Sequence, residues 1–443
     1  MTKVDAEIVT GEALVAELQQ WLKENWDPDL SVGDWWERLG AAGWSAPTLP
    51  VSAYGRGVSR VDSVRVATEI GRFGALGAPG GLGLLLAAPT ITTHGTQEQI
   101  DTYVRDIVTG KQAWCQLFSE PGAGSDLAGL TTRAVQDGDE WIVNGQKVWT
   151  SGAQMADMGM LLARTNVDVP KHQGITWFAL DMHQAAIDVR PLREMSGSAL
   201  FNEVFFTDAR VGAGAVIGGV NNGWAAANTT LANERAGLGA GGGGGGGFGA
   251  MSGTVANQLS RRAGDFITPA DGDQPRRRGG AMMRPSGAGQ LTRLAKSKGV
   301  IGDPVVRQGL AKLHTMNEVA RYNAERLKAV RESGGDIPGM ANIAKLTMSD
   351  ILRLTRDLGL SITGVDGTLH AYDDAGRKTL EKIRGGDFSV AMMTGLSLYA
   401  QAPPIYGGTD QIQRNIIGER ALGLPKEPGD DRVVPFSELP KNG

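Results

Sequence analysis

The stretch Leu117-Phe118-Ser119-Glu120-Pro121-Gly122-Ala123-Gly124-Ser125-Asp126 decides how the rest of the chain is read. A short, mostly apolar run from Ala113 to Phe118 ends in a turn built on Pro121, Gly122 and Gly124. The two glycines let backbone amides approach a ligand closely. Ser119 and Ser125 add hydroxyl donors. Such a loop suits an anionic or carbonyl-rich ligand edge, although Pro-Gly-x-Gly alone is also an ordinary turn.

Upstream of this stretch, over residues 1–112, the apolar period is helical. Leu14, Leu18, Trp21 and Leu22 recur at helical spacing. Thr96 and Gln99 form a capping-box pattern ahead of Ile100, Tyr103 and Ile107, and Gly110 marks a helix end. Downstream, over 113–222, the pattern is that of strands. Glu140–Val143, Asn144-Gly145 and Gln146–Thr150 predict a hairpin with a two-residue turn. Met158–Ala163, Ile175–Leu180 and Glu203–Phe206 are further strand candidates. On the predicted strand that ends at Ser151, Trp149 and Ser151 alternate and are expected on one side. A flat aromatic beside a hydroxyl can seat an isoalloxazine ring; a core tryptophan is the ordinary alternative.

Over 223–425 the helical period returns. Asp303-Pro304 predicts a helix start. Val306, Leu310, Leu313, Ala320 and Leu327 make one apolar stripe, and Ile343, Leu346, Ile351, Leu354 and Leu358 another, as in a helix bundle. Thr409 reads as the N-cap of a helix carrying Ile412, Ile416 and Leu422. A helix start of this kind suits a pyrophosphate and is equally an ordinary cap. Residues 239–292 break the pattern. The run Gly241–Gly247 would cost a continuous helix about 7 kcal/mol relative to alanine. Thr268–Gly289 is rich in Pro, Gly and Arg, including Arg276-Arg277-Arg278. This segment is expected to be a flexible insertion, and the tail 426–443 to be loosely ordered.

Composition narrows the class. The 443 residues exceed one compact core, and 41% of them are hydrophobic. A net charge of −4, from 44 basic and 48 acidic residues, argues against a nucleic-acid binder. Cys115 is the single cysteine, which leaves no intramolecular disulfide and suits a reducing cytoplasm. No signal-peptide pattern and no apolar run of membrane-span length is present. His94, His172, His183, His314 and His370 are scattered without metal-ligand spacing, so no metal is expected.

Taken together, the 117–126 loop, Asn144-Gly145-Gln146-Lys147-x-Trp149, Asn202-Glu203-Val204-Phe205-Phe206, Gly223-Trp224 and Tyr406-Gly407-Gly408-Thr409-Asp410-Gln411-Ile412-Gln413-Arg414 resemble the acyl-CoA dehydrogenase family over roughly residues 10–425, apart from the Gly/Arg-rich insertion. The resemblance implies an α+β fold: an N-terminal α-helical domain, a middle β-barrel-like domain and a C-terminal four-helix bundle. It implies FAD, an acyl-CoA substrate oxidised to its trans-2-enoyl form, and an electron-transfer flavoprotein as acceptor. By position, Leu117, Ser119, Trp149 and Ser151 would line the isoalloxazine. Ser125 would meet the CoA moiety, and Thr409 and Gln411 would hold the adenosine diphosphate part of FAD.

The family reaction needs a carboxylate that takes the α proton while the flavin takes the β hydride. In many members that glutamate follows the tyrosine of the C-terminal motif, but here Gly407 stands there. In the isovaleryl and long-chain types the base precedes an arginine on a helix. Leu231-Ala232-Asn233-Glu234-Arg235 matches that arrangement. Glu234 is therefore the expected base, in an apolar pocket that raises its pKa, with Arg235 turned elsewhere. The Gly407 amide would polarise the thioester carbonyl, and its missing side chain would make room for a branched or bulky acyl group. A solvent-facing helix glutamate is the alternative reading of Glu234.

Two segments depart from the family. Lys296–Pro304 lacks an Arg-x-x-Phe-Gly, and Ser361-Ile362-Thr363-Gly364-Val365 replaces a Gln-x-x-Gly-Gly. Both normally complete the adenosine site across a dimer interface. The expected assembly is thus a homo- or hetero-oligomer, dimer or tetramer, similar to heteromeric actinobacterial steroid-degrading members. An acyl-CoA oxidase, a non-catalytic partner subunit and a nucleic-acid-associated relative using the arginine-rich insertion are the rival readings.

Overall fold

The computed structural model describes residues 8–239, 255–267, 287–333, 335–383, 389–426, 428–429 and 431–440. Helices come first: α1 (Gly11–Asn25), α2 (Val32–Ala41), α3 (Arg60–Phe73), α4 (Ala88–His94), α5 (Gln97–Gln99) and α6 (Arg105–Val108). Ser31 and Ser59 cap α2 and α3 by accepting from the amides of Asp34 and Asp62. The Thr96–Gln99 capping box is reciprocal, as its sequence predicts. Leu14, Leu18 and Leu22 are fully buried with Trp35, Leu39 and Trp44 in the core of this helical domain.

Eight strands follow: β1 (Trp114–Leu117), β2 (Arg133–Asp137), β3 (Glu140–Ser151), β4 (Met158–Arg164), β5 (Ile175–Asp181), β6 (Ile187–Leu192), β7 (Phe201–Gly212) and β8 (Val216–Ile217). Their order is β6-β7-β3-β2-β4-β5-β8, with β1 pairing in parallel with β4. β6 and β8 stand at opposite ends of this order, so the sheet is open and does not close into a barrel. Cores lie on both of its faces. One joins Trp114, Phe118, Met160 and Trp177 to α4 and the helix after the sheet; the other gathers Cys115, Leu117, Trp141 and Phe178.

The predicted Asn144-Gly145 hairpin is overturned. β3 runs straight through these residues, with a bulge between Val143 and Gly145. The turn lies earlier, where Asp137 pairs with Glu140 around Gly138 at φ 64°. Asn144 is spent on β7 instead: its Nδ2 donates to Asp208 Oδ1 at 2.9 Å, and its Oδ1 accepts from the Asp208 amide at 3.0 Å. Gly145 is required because a Cβ there would lie 2.5 Å from Thr132 Oγ1.

The C-terminal part contains α7 (Gly223–Gly239), α8 (Gly287–Ser297), α9 (Pro304–Glu332), α10 (Met340–Thr363), α11 (Asp374–Ile383), α12 (Ser389–Tyr399) and α13 (Asp410–Ile416). Helices α8, α9, α10 and α12 share a core of Leu291, Leu294, Leu310, Leu313, Ile351, Leu358 and Met393, the expected four-helix bundle. Asp303 caps α9 as predicted, accepting from the amides of Val305 and Val306.

The flexible-insertion reading of 239–292 is corrected in part. Residues 255–267 dock on the N-terminal domain. The Val32 amide donates to Arg261 O at 2.8 Å and the Ala263 amide to Leu30 O at 2.8 Å. Ala263 is fully buried, and Leu259 and Phe266 pack beside it, so apolar anchoring outweighs the low-complexity flanks. Helix α8 also begins inside the expected insertion. Gly241–Gly247 and Arg276–Arg278 lie outside the described residues. The tail is likewise more ordered than expected. The Phe436 and Ser437 amides donate to Val169 O and Val167 O, each at 2.9 Å, and the Arg164 guanidinium covers the Phe436 ring at 3.8 Å. Among the described residues no helix is long and apolar enough to cross a membrane.

Candidate active site

The 117–126 loop is held from behind by a buried ion pair. Lys147 Nζ donates to Glu120 Oε1 at 2.8 Å and to Phe118 O at 2.9 Å. Glu120 also accepts from the amides of Thr131 and Thr132 and from the Thr131 hydroxyl. Burial pushes the Glu120 carboxyl up, but the Lys147 charge and these hydrogen bonds outweigh it and hold it down to about 2. The loop is thereby rigid at Glu120 and exposed at Gly124, Ser125 and Asp126.

Trp149 does not sit as strand alternation predicts, and the Leu117 side chain does not face the loop. The Leu117 side chain is fully buried in the core on the far face of the sheet, so only its main chain can face a ligand. A second bulge falls between Lys147 and Thr150, and Trp149 adopts φ 61°, a conformation bulky residues rarely take. The bulge breaks the period of two. Thr150 and Ser151 are both buried, whereas the Trp149 indole is 56% exposed and meets the Phe201 ring edge-on at 5.7 Å. A tryptophan held out in this way, with Ser151 two residues on and Ser119 bonded through its carbonyl to the Val148 amide at 2.9 Å, fits a planar heterocycle that accepts hydrogen bonds. Both hydroxyls are without a partner among the described residues.

Glu234 lies half-buried on α7. Its Oε2 accepts from Gln116 Nε2 of β1 at 3.4 Å. Burial raises its pKa, opposed by the Gln116 hydrogen bond and the Arg235 charge. Arg235 is thus electrostatically coupled to Glu234 rather than indifferent to it. Sequence reasoning missed Gln116, although an amide inside Trp114-Cys115-Gln116-Leu117-Phe118 is an anomaly in a run of buried residues.

Gly407 is built into a turn that the helix bundle fixes. It adopts φ 63° and Gly408 φ 80°, where glycine is favoured. Thr409 caps α13 as predicted, accepting from the Ile412 amide at 3.2 Å, and Gln411 is exposed at its start. The support comes from polar residues of α10 that the apolar stripe concealed. Lys345 Nζ donates to Asp410 Oδ1 at 2.9 Å, Arg353 Nη2 to Asp410 Oδ2 at 2.7 Å, and Ser349 Oγ to Asp410 Oδ1 at 2.9 Å. Asn342 Nδ2 donates to Gln413 Oε1 at 2.6 Å, and Gln413 Nε2 to Gly407 O at 2.8 Å.

These segments match one family from end to end. The acyl-CoA dehydrogenase N-terminal domain matches residues 9–111, the middle domain 115–209 and the C-terminal domain 286–422. The acyl-CoA dehydrogenase IpdE1 of Mycobacterium tuberculosis is 33% identical over 393 residues, 89% of this chain and 88% of that protein. The chain belongs to the acyl-CoA dehydrogenase family. These are flavoprotein oxidoreductases of lipid metabolism. Among solved structures, the Tcur3481-Tcur3483 steroid acyl-CoA dehydrogenase aligns with TM-score 0.66 at 25% identity, over 95% of this chain and 100% of that one. The ChsE4-ChsE5 complex from Mycobacterium tuberculosis aligns with TM-score 0.63 at 26% identity, over 96% and 100%.

Two further features lie outside the segments described so far. A cleft of about 420 Å³ is lined by His172, Gln173, Trp224, Asn228, Arg420 and Arg432, together with Pro170. It adjoins the Ser125-Asp126 loop through Lys171, whose Nζ lies 2.9 Å from Asp126 and 3.0 Å from Asp431 of the tail. The first segment that departs from the family pattern meets the residue following the second: Lys298 Nζ lies 3.2 Å from Asp366 Oδ2.

Proposed function

We propose that this protein is an FAD-dependent acyl-CoA dehydrogenase that converts a CoA thioester to the trans-2-enoyl-CoA, with Glu234 removing the α proton. The observation that carries this reading is Glu234 itself. It is a half-buried carboxylate with a raised pKa, on a helix joined to β1 by the Gln116 hydrogen bond, in a chain whose alternative base position is Gly407. Burial makes it a stronger base than an exposed glutamate. The flavin, when bound, supplies the hydride acceptor for the β carbon. Trp149, Ser119 and Ser151 seat its ring system, Thr409 and Gln411 its adenosine diphosphate part, and the Gly407 amide holds the thioester oxygen.

Ser125 and the cleft with Arg420, Arg432 and His172 suit the phosphate-bearing end of CoA. The absence of a side chain at Gly407 and the similarity to a steroid acyl-CoA dehydrogenase favour a bulky or ring-bearing acyl group. Because Lys298 and Asp366 engage each other, a partner subunit is the favoured source of the remaining adenosine contacts. This matches the ChsE4-ChsE5 complex among the structural neighbours. The reoxidant is an electron-transfer flavoprotein, and the compartment the cytoplasm.

The test is an anaerobic titration with straight, branched and steroid-bearing acyl-CoAs, following flavin absorbance, for the wild type and Glu234→Gln. Bleaching in the wild type and not in the variant is expected. Bound flavin that no thioester reduces would sink the assignment, and hydrogen peroxide formed stoichiometrically in air would make the protein an oxidase.

A further inference from the structure

Strand β1 buries Cys115 and Leu117 on one face of the sheet and Trp114 and Phe118 on the other. Gln116 belongs to the second face by alternation, the face against which α7 packs Trp224 and Leu231. An amide set among tryptophan, phenylalanine and leucine is unfavourable unless its hydrogen bonds are used. Its Nε2 is directed at Glu234 Oε2, 3.4 Å away.

We infer that Gln116 is the positioning residue for the Glu234 carboxylate. It holds one oxygen and leaves Oε1 as the atom that takes the proton. The inference rests on Glu234 being the base. β1 suits this role because it is fixed at both ends: its register with β4 pairs Gln116 with Met160, and the Lys147–Glu120 pair clamps the loop that follows. The residue that orients the base and the flavin-side loop thus share one strand, β1. A neutral donor also favours the ionised carboxylate without placing a cation beside it.

The charge environment keeps the assignment simple. Besides burial, Gln116 and Arg235 are the groups acting on Glu234. Among the described residues, α4, α10 and β5, which also pack on α7, contribute no charged group to that shift. Arg420 acts on Arg235.

The test is the pH profile of anaerobic flavin reduction by a saturating acyl-CoA, for the wild type, Gln116→Met, Gln116→Asn and Glu234→Gln. Methionine keeps the volume and removes the donor; asparagine keeps the donor and shortens its reach. Removing a donor from a carboxylate raises its pKa. The acid limb should therefore move up by about one pH unit in both Gln116 variants, with the rate down about tenfold on that limb and recovering at alkaline pH. KM should change little. A carboxyl titration of the resting protein by ¹³C-glutamate NMR, assigned through Glu234→Gln, should show the same upward shift without turnover. Wild-type profiles in both Gln116 variants, alongside an inactive Glu234→Gln, would overturn the positioning role alone. An active Glu234→Gln would overturn the base assignment and this inference with it.

Discussion

Lys147 and Glu120 face each other at 2.8 Å with side chains that are 0% and 5% exposed, directly behind the loop proposed to face the flavin. Two buried charges are tolerated because each is saturated: Lys147 by Phe118 O and the carboxylate, Glu120 by two amides and a hydroxyl as well. A pair of this kind is a weak source of net stability when intact, yet it is costly to break from one side.

Lys147→Met should therefore destabilise the protein by about 3–5 kcal/mol, because it strands the Glu120 charge. The intact pair also sets an acid limit. The Glu120 pKa is lowered to about 2 in the folded protein. Its contribution is present above the ordinary carboxylate pKa and is lost as pH falls from there toward 2. Urea unfolding of wild type and variant between pH 7 and pH 3 checks both points. The wild type should lose stability on acidification more steeply than the variant.

The helical stripes, the Thr96 and Thr409 caps, the Asp303-Pro304 start and four of the strands were legible because they depend on local periodicity and capping chemistry. What misled is equally specific. Asn144-Gly145 has hairpin chemistry, but Asn144 pairs with Asp208, 64 residues away, and tertiary pairing overrides a turn propensity. Trp149 and Ser151 obey alternation only on a regular strand, and a bulge separates them. The polar face of α10 was invisible because Asn342, Lys345 and Ser349 acquire meaning only when Asp410 and Gln413 are brought to them. Gln116 was visible as an anomaly in an apolar run, but its partner lies 118 residues on.

Asp410→Asn should loosen the Gly407-Gly408 turn. Burial pushes the Asp410 carboxyl up, while Lys345, Arg353 and Ser349 together bring it below its ordinary value. Asparagine keeps the shape and removes the charge, which leaves Lys345, 3% exposed, without its counterion. A loss of about 3–5 kcal/mol in chemical denaturation is expected. In the surviving folded protein, kcat/KM for the acyl-CoA should fall further than flavin content does.

Trp149 and Trp177 should behave oppositely. Trp177 is fully buried in the core that joins the sheet to α4 and α7, and Trp177→Ala should cost about 3–5 kcal/mol. Trp149 is 56% exposed, so Trp149→Ala should change stability by only about 0.5 kcal/mol. It should nevertheless weaken flavin retention. Thermal unfolding of the apoprotein, set beside a flavin reconstitution titration, separates the two. An unchanged flavin affinity in Trp149→Ala would remove the indole from the proposed seat.

Arg420 and Arg432 line the cleft beside Lys171, and they come from α13's continuation and from the tail. Among the described residues neither has an ion-pair partner, whereas Lys171 is held by Asp126 and Asp431. A phosphate in the cleft would meet two uncommitted guanidinium groups, each charge-assisted hydrogen bond contributing about 1.5–3 kcal/mol. Arg420→Ala or Arg432→Ala should raise KM for a CoA thioester about tenfold or more, and added salt should raise the wild-type KM. The same acyl group carried on pantetheine, which lacks the nucleotide, should show neither effect. Steady-state kinetics on the two thioesters decides the matter. Equal losses on both would place the arginines' role in the fold of the tail and not in the grip on the nucleotide.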